Sequence, residues 1–237
     1  MLKAFYKTWR FWFIISLLSI ALILAINRYQ LNQKLKVERL RTKLSSDLHD
    51  EVSGLLSGIA MQSELLEIMT TDEKNKSKLG SIAKVSRSAM SRMSDVIWSI
   101  DARKDTVGDL LTRMSEHAMD ILNPLNIEWK IAVENIDKKN KIPVLLRENL
   151  YFIYKEAINN IGKHSAANQV HISFGNYDKQ FKMTIHNNGA AKVVPQKSHK
   201  KGQGTANMKM RADKINATLT KKTTKGYTVV LTRKPFA

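Results

Sequence analysis

The chain has 237 residues, no cysteine, and 39 lysines and arginines against 21 aspartates and glutamates, for a formal charge of +18. The absence of cysteine excludes disulfides, thiolate nucleophiles and cysteine-ligated metals. The length gives room for one membrane anchor and one or two modest domains. The basic balance suggests an anionic partner: nucleic acid, a membrane surface or nucleotide phosphates.

Residues 11–26 (FWFIISLLSIALILAI) are apolar apart from two serines. The run is shorter than the ~20 residues a helix needs to span hydrocarbon. Its flanks extend it, because Arg10 and Arg28 can snorkel while Tyr6, Trp9, Trp12 and Tyr29 suit the interfaces. A cleaved signal peptide competes, with Lys3, Lys7 and Arg10 as its basic start, but no small-x-small cleavage site follows. Arg28, Lys34, Lys36, Arg39, Arg41 and Lys43 after the span outnumber the basic residues before it. The expectation is therefore one span of the cell inner membrane, with residue 27 onward in the cytoplasm.

From Asn27 to about Met69 no proline or breaker cluster interrupts the chain. Val37, Leu40, Leu44, Leu48, Val52, Leu55, Ile59, Leu66 and Met69 recur at the three-and-four spacing of one helix face. Thr70–Ser77 reads as a polar turn. A second helix follows, with Leu79, Ile82, Ala89, Met93, Val96 and Ile100 on its stripe. Two amphipathic helices and a short loop make an antiparallel hairpin, which buries both stripes by pairing into a dimeric four-helix bundle. A coiled coil without chemistry shows the same periodicity.

Residues 101–105 (DARKD) form a charged break. Thr106 and Asp109 predict a cap for a helix through about Leu122. Strands are expected at 127–133, 171–174, 181–186, 219–222 and 227–232, with a turn at Gly175–Lys179 and another about Gly226. A helix covers 144–164, and 189–204 reads as a lysine-rich loop. Helices and strands alternate in an α+β arrangement. There is no internal repeat.

Two stretches carry chemistry. The first is Asp47-Leu48-His49-Asp50-Glu51, a lone histidine beside carboxylates on a helix. A histidine is mostly neutral near pH 7, so one ring nitrogen keeps a lone pair for attack while an adjacent acid holds the other N–H. The second is the helix 144–164, where Glu156 and Asn160 share a face and Asn159, Lys163 and His164 surround them. A carboxylate, an amide oxygen and a cation suit Mg²⁺ and nucleotide phosphate. Further on come Asn187-Asn188-Gly189 at a strand end and Gly202-Gln203-Gly204-Thr205 opening a helix. Those glycines permit close backbone approach, and a helix N-terminus offers free N–H groups to an anion.

In this order the motifs resemble those of sensor histidine kinases with a D-L-H-D box, the group that includes nitrate- and membrane-fluidity-sensing kinases. The resemblance spans residues 35–237. It implies that His49 is the phospho-acceptor and Asp50 its assisting base, with Glu156 the further catalytic residue of the N-box. Asn159, Asn160, Lys163, His164, Asn187, Gly189, Gly202, Gly204 and Thr205 would hold ATP, with Asn160 on Mg²⁺. The implied architecture is a single transmembrane helix (1–29), an antiparallel helical hairpin for dimerisation and phosphotransfer (30–104), and a GHKL-type (Bergerat) α/β sandwich binding ATP (105–237). A homodimer and a response regulator would be its partners, and no nucleic acid is expected. Residues 4–13 and 96–100 further resemble large Bacteroidetes-type sensors, in which an extracellular propeller precedes the span; here only about ten residues precede it.

Two positions depart from the family. Its first glycine box reads D-x-G-x-G, the aspartate accepting from the adenine amine, whereas this chain has Asn187-Asn188-Gly189-Ala190-Ala191. An amide oxygen accepts without charge, and charge-assisted bonds are about twice as strong, so a weaker hold on the base is predicted. Many relatives also place a glutamine five residues after the histidine. Gly54 stands there, which predicts little phosphatase activity. A degenerate kinase serving as a dimeric regulator-binding scaffold is the alternative reading.

Overall fold

The computed structural model describes residues 9–190, 203–222 and 226–235. The chain divides into two compact units, Met1–Arg103 and Lys104–Ala237.

The first unit is a helical hairpin. Helix α1 runs unbroken over Trp9–Met69 and α2 over Glu73–Ile100. At 1.5 Å per residue, α1 is roughly 90 Å long. One stretch of it, with mean hydropathy 2.2, is long and apolar enough to cross a membrane by length and composition. The expected turn at Thr70–Ser77 is shorter in the structure, because Asp72 caps α2 early. Its carboxylate accepts from the Lys74 backbone N–H at 2.9 Å, which satisfies one orphan donor of the first turn, and from the Asn75 side-chain amide at 2.8 Å.

The hairpin does not bury the stripes that the periodicity marked. Its interior is small: Ser45, Ala60 and Ser63 of α1 face inward, as do Ala83, Ser86, Asp95, Ile97 and Ser99 of α2. The Ser45 hydroxyl donates to the Ile97 carbonyl, and Arg87 pairs with Glu64. Small side chains let the helices approach closely and leave the large apolar residues outside. Val37, Leu40, Leu44, Leu55, Ile59, Leu66 and Met69 are all exposed, as are Ile82, Val85 and Val96.

Among the described residues, the second unit packs α-helices α3 (Val107–Leu122), α4 (Val144–His164) and α5 (Gln203–Lys214) with a five-stranded sheet. The strands are β1 (Glu128–Glu134), β2 (Gln169–Tyr177), β3 (Gln180–Asn187), β4 (Thr218–Lys222) and β5 (Tyr227–Arg233), in the order β1-β2-β3-β5-β4. β1 and β2 are parallel and the other neighbours antiparallel. Thr106 and Asp109 form the capping box expected from the sequence. Val170, Ile172 and Phe174 of β2, Phe181, Met183 and Ile185 of β3, and Val229 and Leu231 of β5 are buried with Leu110, Met114, Leu150, Ile153 and Ile158 of the helices. The buried Tyr154 hydroxyl donates to the Met114 carbonyl at 2.8 Å, joining α4 to α3, and burial raises its pKa so that it stays a donor.

The expected turn at Gly175–Lys179 is also tighter. Gly175 and Tyr177 lie in β2, and the reversal is made by Asp178 and Lys179, both at positive φ (48° and 62°), the pairing that suits a two-residue hairpin. Gly175 serves a different purpose. A Cβ there would collide with the backbone of Glu134, its register partner on β1. Gly175→Val should therefore destabilise this unit by about 1–3 kcal/mol, the usual cost of overpacking, read from denaturant unfolding.

Candidate functional site

His49 lies on α1 with its side chain 65% exposed, beside Asp50 at 75%. Nδ1 is 3.4 Å from the Asp50 Oδ1, a long contact. With the proton on Nδ1 and turned to that carboxylate, Nε2 presents its lone pair to solvent. Five residues on, nothing lies within 4 Å of where a Cβ on Gly54 would be.

In the second unit the sequence-marked residues fall into two groups. One centres on α4 and the start of α5. Glu156, Asn159 and Asn160 are half-buried, while Lys163 and His164 are exposed in the last turn of α4, where cations complement the helix dipole. A Cβ on Gly204 would overlap the Glu156 carboxylate, so the first turn of α5 lies against that group. Thr205, next along, accepts a hydrogen bond from the Lys221 Nζ at 2.6 Å. Lys221 comes from edge strand β4 and was not marked by any motif. Burial lowers its pKa, and the Glu156 charge partly offsets that effect.

Asn187 and Gly189 form the other group. Asn187 is 0% exposed. Its Oδ1 accepts from the Ser165 hydroxyl at 2.8 Å and the Gly189 N–H at 3.1 Å, and its Nδ2 donates to the Tyr227 carbonyl at 3.2 Å. One backbone donor and one backbone acceptor thus set which way the amide points. Both lone pairs of the oxygen are occupied, so a base amine reaches it only by displacing the Ser165 hydroxyl. Asn188 is also committed, its Oδ1 accepting from the Asn168 and Gln169 N–H groups. A Cβ on Gly189 would strike the Ala167 backbone, and one on Gly226 (φ +103°) the Asn187 carbonyl.

Sequence reasoning missed Lys221 and Ser165. Ser165 was within reach, since it is the C-cap that follows Lys163-His164. Gly202 and Ala191 lie outside the described residues, as do Lys3, Tyr6 and Lys7 at the head of the apolar run. Among the described residues, no three His, Cys, Asp or Glu side chains cluster as a metal site. A hard cation here would draw on Glu156, the Asn160 amide oxygen, phosphates and water, the sparse protein ligation that suits Mg²⁺.

The arrangement of helices and sheet has a counterpart among solved structures. The full-length ShkA crystal structure in complex with AMPPNP shares the fold, with a TM-score of 0.52 and 16% identity over 83% of this chain and 46% of that one. A family model described as histidine kinase matches residues 41–118, which include His49. The signal transduction histidine-protein kinase/phosphatase UhpB of Salmonella typhimurium is 22% identical over 81% of this chain and 38% of its own length. The sensor histidine kinase LiaS of Bacillus subtilis is 26% identical over 74% of this chain and 48% of its own. The stretch around His49 is thus similar to histidine kinases, and most of the chain is similar in sequence to sensor histidine kinases. The chain spans about half the length, or less, of these relatives. None of these matches bears on the likeness to Bacteroidetes-type sensors.

The Asn187 network yields a test. Asn187→Asp removes the donor to Tyr227 and sets a carboxylate against that carbonyl. Unfolding of the variant should show a loss of about 1–3 kcal/mol, the cost of an unsatisfied buried polar group.

Proposed function

We propose that the chain is a membrane-anchored sensor histidine kinase that phosphorylates itself on His49 at the expense of ATP and passes the phosphoryl group to an aspartate of a response regulator. The observation that carries the reading is His49 itself, exposed on α1 beside Asp50 and within the stretch that matches the histidine kinase family. Asp50 holds the Nδ1 proton and stabilises the cation that develops as Nε2 gains a bond. ATP, when bound, supplies the phosphoryl group.

Glu156, Asn159, Asn160, Lys163 and His164 of α4, with Gly189, Gly202, Gly204 and Thr205, are the residues we assign to the nucleotide, and Asn160 to Mg²⁺. Phosphoryl transfer asks chiefly for positioning and charge neutralisation, which such a set provides. Asn187 shapes the base end of the site through its hydrogen bonds. Gly54 offers no side chain to orient water, so we assign the kinase direction and not the phosphatase. The apolar segment of α1 would cross the inner membrane once, with the later residues cytoplasmic.

The exposed stripes of the hairpin supply the case for a homodimer. Leu55 is 69% and Val85 65% exposed, and a second hairpin would cover them. The double variant Leu55→Glu, Val85→Glu should shift the protein in detergent micelles from dimer to monomer by sedimentation. Wild type that sediments as a monomer overturns the bundle.

Incubation with γ-labelled ATP and Mg²⁺ tests the activity. Label should be acid-labile and base-stable, as a phosphorylated histidine is, and His49→Gln should abolish it while nucleotide binding persists. Label that persists in His49→Gln overturns the assignment. A protein that takes no label and binds no ATP would be a scaffold instead.

A further inference from the structure

Helix α5 packs along α4 through contacts at both of its ends. At its first turn Gly204 lies against the Glu156 carboxylate. About two turns on, Arg211 meets Glu148, Asn149 and Phe152, which precede Glu156 on α4 by roughly one to two turns. The two helices therefore run in opposite directions where they touch. Between these points α5 buries Met208, and just beyond them Ala212. Hydrophobic burial is non-directional and methionine adapts its shape, so these two residues bring the helices together without setting how far one slides along the other.

Arg211 supplies the missing direction. Its guanidinium carbon sits 4.3 Å from the centroid of the Phe152 ring. Its Nη1 is 3.4 Å from the Asn149 Oδ1 and 3.5 Å from the Glu148 Oε1. Asn149 is buried, and its Nδ2 donates to the Leu145 carbonyl at 2.7 Å, which leaves the amide oxygen turned to Arg211. A planar guanidinium that stacks on one ring and reaches two oxygens has few positions that satisfy all three. The consequence is felt at Glu156. A glutamate has wide rotamer freedom, and the first turn of α5 closes off part of the space that this one could enter.

We propose that Arg211 is a positioning residue for phosphoryl transfer: it sets the register of α5 on α4 and so holds Gly204 against the Glu156 carboxylate. The inference rests on the assignment of Glu156 to the nucleotide site made above. It adds a residue that acts through Glu156 without touching the nucleotide.

Two measurements on the full chain in detergent micelles test this: the rate of labelling at saturating γ-labelled ATP with Mg²⁺, and calorimetric binding of AMPPNP. Arg211→Met keeps apolar cover over Phe152 but loses the charge and the planar fork. It should slow labelling about ten- to a hundredfold, the usual cost of a misplaced group, and change AMPPNP affinity less than about threefold. In a Glu156→Asp background, whose shorter carboxylate is drawn back from Gly204, the same substitution should slow labelling less than about twofold further, because both changes act through one contact. If Glu156→Asp takes no label, the split between rate and affinity decides. Phe152→Leu, which removes the ring face alone, repeats the comparison if Arg211→Met fails to fold. Parallel losses of rate and affinity, equal losses in both backgrounds, or an unchanged rate would overturn the role of Arg211 and leave the kinase reading standing. Wild type that takes no label overturns the reading and the role together.

Discussion

The buried amide of Asn187 is the contact on which the second unit depends. Three chain segments meet there: the end of β3, the start of β5 and the residue that caps α4. Each brings a polar group that an apolar neighbour would leave unsatisfied, at about 1–3 kcal/mol apiece. One planar amide answers all three, since it both accepts and donates. Its neighbours are constrained in turn. Gly189 and Gly226 sit where backbone passes too close for a side chain, so the amide and two glycines together set how tightly the sheet closes against the end of α4. Glu156 and Asn160 lie within three turns of that anchored end, and their placement follows from it.

The same residue shows how a recognition position can be absorbed into structure. An aspartate there would offer two acceptor oxygens and no donor, and the Tyr227 carbonyl would then need another partner. Asparagine satisfies that carbonyl and commits its oxygen to Ser165 and Gly189. Any base contact at this position would therefore require the Ser165 hydroxyl to give up its bond to Asn187.

The hairpin follows a different logic. Its interior, mostly serine and alanine with Asp95 and Ile97, buries few large apolar side chains, and hydrophobic stabilisation scales with apolar area. Many large aliphatic side chains remain outward on both helices, although Ile97 is buried and Leu48, Val52 and Leu79 are half-buried. Exposed aliphatic side chains such as Leu55, Leu66 and Val85 form the kind of apolar surface that commonly serves association. Helix α1 carries both the apolar segment and His49 without a break, so the two are joined by one continuous hydrogen-bonded rod.

Much of this was legible in the chain itself. Helix α4, the capping box at Thr106, the order of the strands along the chain and the histidine beside its acid all follow from local rules of spacing, capping and side-chain chemistry. What local rules do not reach is which face of an element turns inward. The stripe from Val37 to Met69 was visible, but only the packing of α1 on α2 showed that mostly small residues line the hairpin and that most of the stripe stays outside. Gly175 read as a turn residue because glycine often is one; its reason is the Glu134 backbone across the sheet. Lys221 looked like one lysine among many, since its neighbours on β4 are threonine and lysine. Only the pairing of β4 with β5 turned it toward Glu156 and Thr205, residues far from it in sequence. Side-chain type and spacing are properties of the chain, whereas the direction a side chain faces is decided by the contacts that bury its neighbours.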